Sequence, residues 1–210
     1  MTEDRWGFND WAKSYDEDVY DTTRPDQFTF QDYDRVLDTI VEYCDLPHNT
    51  CTRILDIGIG TGNLARRFLH SGIPITGIDP STGMMETCRR KFPDIALMPG
   101  HFLDIPLPPQ SIGLIVSSYA FHHLTASEKE RSVGIMKNVL SPGGRIIIAD
   151  LMFWNEAERQ RIERSYFEAG RPEVPAEYAG EFPGYFEDLV AAFSSVGFTV
   201  DGEQLTQAVW

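Results

Sequence analysis

Ile54-Leu-Asp-Ile-Gly-Ile-Gly-Thr-Gly-Asn-Leu64 decides the fold of this chain. The apolar residues at its start predict a buried strand, and a helical pattern of apolar residues follows its end. A strand, a glycine turn and a helix in this order bring bare backbone N–H groups close to a ligand. The stretch therefore predicts the nucleoside-binding edge of a doubly wound α/β sheet. The glycines of the turn stand at alternate positions, Gly58, Gly60 and Gly62.

A second signal stands where the next strand should end. Ile73-Pro-Ile-Thr-Gly-Ile78 predicts that strand, and Asp79 follows at its tip. A carboxylate there can accept hydrogen bonds from both ribose hydroxyls, because two vicinal O–H donors need an acceptor with two oxygens. An ordinary tight turn and a solvated acid before Pro80 are the structural alternatives. Both features together, at this spacing, favour a cofactor site.

The dinucleotide fingerprint requires a third glycine three positions after Gly60, where this chain has Asn63. The absence of that glycine disfavours a nicotinamide oxidoreductase. The spacing of Asp56, Gly58, Gly60 and Gly62 instead resembles the first motif of class I S-adenosylmethionine-dependent methyltransferases. The resemblance extends over about residues 50 to 150. Its further motifs are Ile75–Ser81, Gly100–Pro108, Ile115–Leu124 and Leu140–Asp150.

The resemblance implies a Rossmann-like α/β fold within a single domain of residues 1–210. Its doubly wound, mostly parallel sheet would have seven strands, one of them antiparallel, and helices on both faces. S-adenosyl-L-methionine would be the cofactor. The lead-in Phe8–Asp16 resembles an aromatic lid of this class, and the chain is similar to small, largely uncharacterised bacterial methyltransferases. The implied cofactor-binding residues are Trp11, Tyr15, Asp56, Gly58, Gly60, Gly62, Asp79, Met84, His101, Phe102 and Ser117.

One position departs from the family pattern. The residue after Gly100 is usually Asp in that family and is taken to bind the adenine amino group, but here it is His101. A neutral imidazole nitrogen can accept from that amine, whereas a protonated one cannot. The backbone N–H of Phe102 needs no particular side chain. We expect the change to affect cofactor affinity or its pH dependence.

The candidate catalytic residues are Tyr119, His122 and His123, at the predicted end of the fourth strand. Imidazole titrates near neutrality, so one histidine can accept a proton from the substrate. The alternative is that both histidines only bond the backbone and shape the pocket. The predicted function is methyl transfer to a small-molecule acceptor by in-line displacement. The alternative function is a module that binds the cofactor or its product without transfer activity, and His101 would fit that role.

Two segments outside the core are candidates for covering the site. Residues 1–46 are predicted to form an N-terminal lid and a helix, the helix over about residues 27 to 45, ended by Pro47. Residues 151–182 are rich in charges and aromatics and predict a lid or substrate wall, with a plain connecting helix as the alternative. The resemblance implies that Phe198–Trp210 supplies two closing strands, the last one antiparallel.

Composition excludes several partners. The 210-residue chain carries a net charge of −14, which repels nucleic-acid phosphates and anionic membranes. No apolar stretch approaches the ~20 residues needed to cross a bilayer, and the start of the chain does not resemble a signal peptide. Cys44, Cys51 and Cys88 show no metal-ligand spacing, so we expect reduced thiols, no metal site and a cytoplasmic location. The sequence leaves open the accepting atom and whether the chain is a monomer or a homodimer.

Overall fold

A computed structural model describes residues 7–21, 28–46 and 53–210. The strands are β1 (Ile54–Ile57), β2 (Ile75–Asp79), β3 (Ala96–Pro99), β4 (Ile112–Ser118), β5 (Leu140–Ala149), β6 (Met152–Phe153) and β7 (Gly184–Tyr185). The α-helices are α1 (Phe8–Trp11), α2 (Tyr15–Asp18), α3 (Tyr33–Cys44), α4 (Thr82–Lys91), α5 (Ala126–Val139), α6 (Glu156–Glu168), α7 (Glu173–Glu177) and α8 (Phe186–Ser195). Two 3-10 helices span Ala65–Phe68 and Phe121–His123. None of these helices is long and apolar enough to span a membrane.

The main sheet has five parallel strands in the order β3-β2-β1-β4-β5. Ile54 of β1 lies opposite Ile75 of β2 on one side and Leu114 of β4 on the other. The strand order therefore reverses direction at β1. Ligands of open α/β sheets bind at such a switch point, beyond the carboxyl ends of the strands.

Helices cover both faces of this sheet, as the sequence predicted. Successive residues of a strand point to opposite faces, so Ile54 joins one core and Leu55 joins the other. The first core also contains the buried side of α3 and the 3-10 helix at Ala65–Phe68. The second contains the buried sides of α5 and α8. The Rossmann-like α/β prediction is confirmed.

Polar caps fix where several helices begin. Thr125 and Glu128 form the predicted capping box of α5, with a bond between the Thr125 N–H and the Glu128 carboxylate at 2.9 Å. Ser81 caps α4, and Asn155 caps α6. The predicted helix at about residues 27 to 45 begins at Tyr33 and ends at Cys44. Pro47 lies outside the described residues.

The described residues show only part of the predicted seven-stranded sheet with one antiparallel strand. The described residues form the five-stranded sheet and a separate parallel pair, β6 with β7. Residues 198–210 contribute a single antiparallel bridge, between Val209 and Leu151. The N–H groups of Leu205 and Thr206 both donate to the carbonyl of Val209, and this tight turn consumes groups that an extended ladder would need. A groove of about 910 Å³ consequently lies along β5.

The segment 7–21 docks on the glycine turn and on the start of α4. The Asn9 side-chain oxygen accepts hydrogen bonds from the hydroxyl of Ser81 and the N–H of Gly83, both at 2.9 Å. The Asp16 carboxylate accepts from Thr61 Oγ1 and from Lys91 Nζ, both at 2.6 Å. Burial alone would raise the pKa of Asp16, but these partners lower it, so the carboxylate stays ionised. Two polar side chains, those of Asn9 and Asp16, therefore hold this segment over the carboxyl ends of the strands.

Two glycines of the turn differ in what surrounds them. Gly58 has φ +73°, and a Cβ placed there would lie 2.4 Å from the Cβ of Ala120. Gly60 has φ +53°, but a Cβ there would meet nothing within 4 Å. Gly58 thus lets the turn approach the end of β4, whereas Gly60 leaves open space beside the turn.

Gly58→Ala should lower the free energy of unfolding by about 2–4 kcal/mol, because overpacking adds to left-handed backbone strain. Gly60→Ala is the matched control, with strain alone and a cost of about 1 kcal/mol. Urea denaturation of both variants measures the difference. Equal losses would show that the turn does not pack tightly against Ala120.

Candidate functional site: two adjoining cavities

A cavity lies beside the glycine turn, where β1, β2 and β4 end. We call it the loop cavity, and its walls come from the turn, the strand ends and the N-terminal segment. Ten of the fourteen predicted site residues line it. They are Trp11, Tyr15, Gly58, Gly60, Asp79, Met84, His101, Phe102, Tyr119 and His123.

Asp79 is fixed by the turn that it faces. Its Oδ2 accepts the N–H of Gly60 at 2.9 Å, and its Oδ1 accepts the N–H of Ser81 at 2.8 Å. Only 4% of the residue is exposed. Each carboxylate oxygen can accept more than one hydrogen bond. The geometry presents a fixed pair of acceptors beside Gly60.

A hydrogen bond to the backbone selects one tautomer of the His101 ring. Its Nδ1 accepts the backbone N–H of Leu103 at 3.1 Å. In the neutral ring the proton is therefore on Nε2, which becomes a donor. A donor suits a ring nitrogen of adenine, whereas the amino group needs an acceptor. The sequence alone does not distinguish these two cases.

Four predicted residues do not line the loop cavity. Ser117 donates from Oγ to the carbonyl of Ile57 at 2.7 Å, inside the sheet, and its neighbour Ser118 faces the cavity instead. A Cβ at Gly62 would lie 2.8 Å from the sulfur of Cys88, so this glycine serves helix packing. The other two are Asp56, which is buried beneath the turn, and His122.

Tyr119 stands at the end of β4 with a left-handed backbone, φ +52°. Residues other than glycine seldom adopt this conformation, and such strain concentrates at functional sites. Its hydroxyl is buried and has no hydrogen-bond partner among the described residues. Burial raises the pKa of the phenol well above its usual value, so the hydroxyl stays protonated. The hydroxyl is therefore a neutral group that can both donate and accept hydrogen bonds.

His122 forms a pair with the buried carboxylate of Asp150, the residue after β5. The distance from His122 Nδ1 to Asp150 Oδ1 is 2.5 Å. Asp150 also accepts backbone N–H groups of Ala120, Phe121 and Leu151. Burial alone would raise the pKa of Asp150, but His122 and the N–H of Phe121 lower it. Because Asp150 is ionised, Nδ1 of His122 donates, and in the neutral ring Nε2 is the acceptor.

His123 is held by the insert at residues 151–182. Its Nδ1 lies 2.8 Å from Glu181 Oε2. Burial lowers the pKa of His123, so the ring is neutral near pH 7. The N–H of Phe182 donates to the carbonyl of His122 at 2.9 Å, and Lys129 Nζ donates to the carbonyl of Phe182 at 2.5 Å. The insert is therefore bonded directly to both histidines.

A second cavity of about 260 Å³ lies on the other side of these histidines. We call it the histidine cavity. It shares Phe8, Trp11, Tyr15, Tyr119 and His123 with the loop cavity, so the two adjoin. Its remaining walls are Asp18, Thr29, Phe30, His122, Leu151, Glu177, Tyr178 and Glu181.

Sequence reasoning missed several of these residues. Glu177, Tyr178 and Glu181 lie in the predicted substrate-wall insert, but no local pattern singles them out. Asp150 was quoted only as the end of a motif. A carboxylate following a buried strand, at the edge where the other site residues lie, is the signal that could have identified it.

The imidazoles of His122 and His123 and the carboxylate of Glu181 lie within 4.8 Å of one another, a spacing that a divalent cation could use. Their hydrogen bonds suggest another interpretation. Nδ1 of His122 is paired with Asp150, and Nδ1 of His123 is paired with Glu181. We interpret the group as a polar wall between the two cavities.

Comparison with known proteins identifies the family. A model described as a methyltransferase domain matches residues 54–144. An uncharacterized methyltransferase of Oceanobacillus iheyensis is 35% identical over 207 residues, which are 97% of this chain and 92% of that protein. That degree of similarity extends over the N-terminal segment and the insert as well as the sheet.

Two solved structures share the fold. An S-adenosylmethionine-dependent methyltransferase of Thermotoga maritima, described as a possible histamine N-methyltransferase, has a TM-score of 0.64 at 20% identity, covering 92% of this chain and 80% of that one. A Haemonchus contortus phosphoethanolamine N-methyltransferase, solved with phosphomonomethylethanolamine and S-adenosylhomocysteine, has a TM-score of 0.63 at 18% identity, covering 90% and 42%. The predicted resemblance is confirmed, and this chain belongs to the S-adenosylmethionine-dependent methyltransferases, in a family of uncharacterized bacterial members.

Proposed function

We propose that this enzyme binds S-adenosylmethionine in the loop cavity and transfers its methyl group to a small molecule in the histidine cavity. The observation that carries the proposal is the carboxylate of Asp79, held by the N–H of Gly60 at the wall of the loop cavity. The adjoining cavity gives an acceptor a place to meet the methyl group. The relatives described above are named methyltransferases, which gives a module without transfer activity no support.

The residues present fit this cofactor. Asp79 would accept from the ribose hydroxyls, and Gly60 leaves space where a side chain would intrude. Met84 and Phe102 would contact the adenine ring, and the Nε2–H of His101 would donate to a ring nitrogen. Oδ2 of Asp56 is buried without a partner among the described residues, beneath the turn that Asp56 would orient. When bound, the cofactor supplies a methyl group already activated by a positive sulfur.

The protein's own task is then alignment and exclusion of water. Holding two reactants in line contributes ~7–11 kcal/mol to lowering a barrier. Trp11 and Tyr15 line both cavities and would close them from solvent. The loop cavity encloses only about 70 Å³, and small-molecule sites commonly need ~300–1,000 Å³. This difference supports the predicted lid within residues 1–46, in its described part at residues 7–21, moving to admit the cofactor.

Three further assignments belong to the same proposal. The net charge of −14 supports a small-molecule acceptor over nucleic acid or a membrane surface. The insert at residues 151–182 contributes Glu177, Tyr178 and Glu181 to the histidine cavity, which supports its role as a substrate wall. Cys88 is a buried free thiol, which fits the reducing cytoplasm.

Isothermal titration calorimetry with S-adenosylmethionine and S-adenosylhomocysteine tests the binding step. Asp79→Ala should weaken both affinities by about tenfold or more, because it removes charge-assisted hydrogen bonds worth ~1.5–3 kcal/mol. Asp94→Ala, at an exposed acid after α4, is the control and should bind as the wild type does. Wild-type protein that binds neither compound, or unchanged affinity in Asp79→Ala, would refute the site.

Asp56 should make stability depend on pH. Burial, together with the nearby charge of Asp79, raises the pKa of Asp56 from 3.8 to about 8 in the folded protein. The unfolded chain then releases this proton at lower pH than the folded one, so stability is lost as pH rises toward 8. Relative to Asp56→Asn, wild type should lose up to ~1.4 kcal/mol per pH unit between pH 5 and 8.

Urea denaturation of the cofactor-free protein at pH 5, 6, 7 and 8 measures this effect. Asp94→Asn serves as the control, because an exposed acid should leave the pH dependence as it is in wild type. A constant difference between wild type and Asp56→Asn would mean that Asp56 is already ionised at pH 5.

His101→Asp should tighten cofactor binding or flatten its pH dependence between pH 5.5 and 8. The new carboxylate can accept the N–H of Leu103 with one oxygen and the adenine amino group with the other. Calorimetry across that pH range measures both quantities, with the exposed His70→Asp as control. If affinity and pH dependence both stay unchanged, residue 101 does not contact the adenine.

A further inference from the structure

The histidine cavity has the charge of a cation site. Three carboxylates line it, those of Asp18, Glu177 and Glu181. Within the part of the chain that the structure describes, no lysine or arginine lines it. Burial alone would raise the pKa of Glu181, but its bond with His123 lowers it, so this carboxylate is ionised near neutral pH. An anionic or phosphorylated acceptor would therefore be repelled.

Aromatic faces supply the remaining attraction. Trp11 and Tyr15 meet edge to face with centroids 4.8 Å apart, and Phe30 lies 5.2 Å from Tyr119. Phe8 and Tyr178 complete the aromatic wall. A cation over such rings gains about 0.5–2 kcal/mol per contact. With a volume of about 260 Å³, the cavity suits a small organic cation.

A base for that cation is already oriented. Asp150 is 1% exposed, and its backbone partners fix it, so Nδ1 of His122 is held as a donor and Nε2 is the nitrogen left for a ligand. Glu181, which holds His123, is 34% exposed and less constrained. His122 is therefore the better placed of the two histidines to take a proton.

Resting on the methyltransferase function proposed above, we propose that the acceptor is a small amine that enters the histidine cavity as an ammonium ion and gives one proton to Nε2 of His122. The Tyr119 hydroxyl, which lacks a partner among the described residues, accepts a second N–H of the same group. His122 and Tyr119 are thus assigned as catalytic residues, and Asp150 as the positioning residue behind His122.

The proton step is required because an ammonium ion has no free electron pair. Loss of one proton to His122 frees the pair, which forms the N–C bond with the methyl carbon as the C–S bond breaks. The electrons of that bond remain on sulfur as a thioether, and the positive charge passes to the methylated amine. His122 finally releases its proton to solvent. Ammonium and sulfonium thus yield methylammonium, thioether and one proton.

Calorimetric titration of the cofactor-free protein with tetramethylammonium tests the cation site separately from catalysis. This ion cannot donate a proton, so it probes only charge and aromatic contacts. Wild type should bind it, and Glu181→Gln should weaken binding about fivefold or more. His122→Gln and the exposed control His70→Gln should bind it within twofold of wild type. No binding to folded wild type, or equal binding to Glu181→Gln, would overturn the cation site.

Initial rates with small primary amines, and with alcohols, thiols and carboxylates of equal size, test the acceptor class. At pH 7, His122→Gln should lose ~10²-fold in kcat/KM for amines, a general-base effect. The loss should shrink to within about threefold near pH 10, where the amine is already deprotonated. A merely structural role would give a loss that does not depend on pH. The titratable groups around His122 are Asp150, His123, Glu181 and Tyr119, with Lys129 behind Asp150.

The remaining outcomes separate the two proposals. Binding of S-adenosylhomocysteine together with methylation of alcohols or thiols alone would overturn the amine and leave the methyltransferase function intact. No binding of S-adenosylhomocysteine would overturn the function itself. Activity that disappears after EDTA dialysis and returns only with a divalent cation would overturn the base role of His122.

Discussion

The buried carboxylate of Asp150 is the constraint on which the site depends. Its hydrogen bonds to Ala120, Phe121 and Leu151 join the end of β4 to the end of β5. A buried charge without such partners would cost several kcal/mol. Any backbone movement that breaks these hydrogen bonds is therefore strongly destabilising. The same carboxylate fixes the tautomer of His122. One residue thereby determines both the path of the chain and the chemistry of the wall between the cavities.

Asp79 plays the corresponding part at the other side of the sheet, where it joins the end of β2 to the glycine turn. The N-terminal segment then covers the ends of β1 and β2. Asp16 bonds Thr61 in the turn after β1, and Asn9 bonds Gly83 after β2. Tyr119 lines both cavities, its backbone is left-handed, and its buried hydroxyl has no partner among the described residues. We infer that the cofactor and the acceptor approach each other at this residue.

The sequence predicted what depends on local pattern. Glycines after an apolar run and an acid after the next run identified Gly60 and Asp79, because adjacent residues carry the whole signal. Ser117 shows the limit, since the strand alternates faces and the serine one position later lines the cavity. Contacts across 45 to 75 residues, such as those of Asp16 with Thr61 and Lys91, leave no local pattern. The predicted closing strands are reduced to a short antiparallel pairing of residues 208–210 with residues 150–152. The N–H groups of Leu205 and Thr206 turn back to Val209 instead, which composition does not reveal.

A crystal structure of the protein with S-adenosylhomocysteine tests the two-cavity arrangement most directly. The account predicts the ribose on Asp79, the adenine beside His101 and Phe102, and the sulfur directed toward Tyr119 and the histidine cavity. It also predicts that the aromatic residues of segment 7–21 shift to make room. The account would be contradicted by a ligand bound elsewhere, such as in the groove along β5, or by a sulfur directed away from His122.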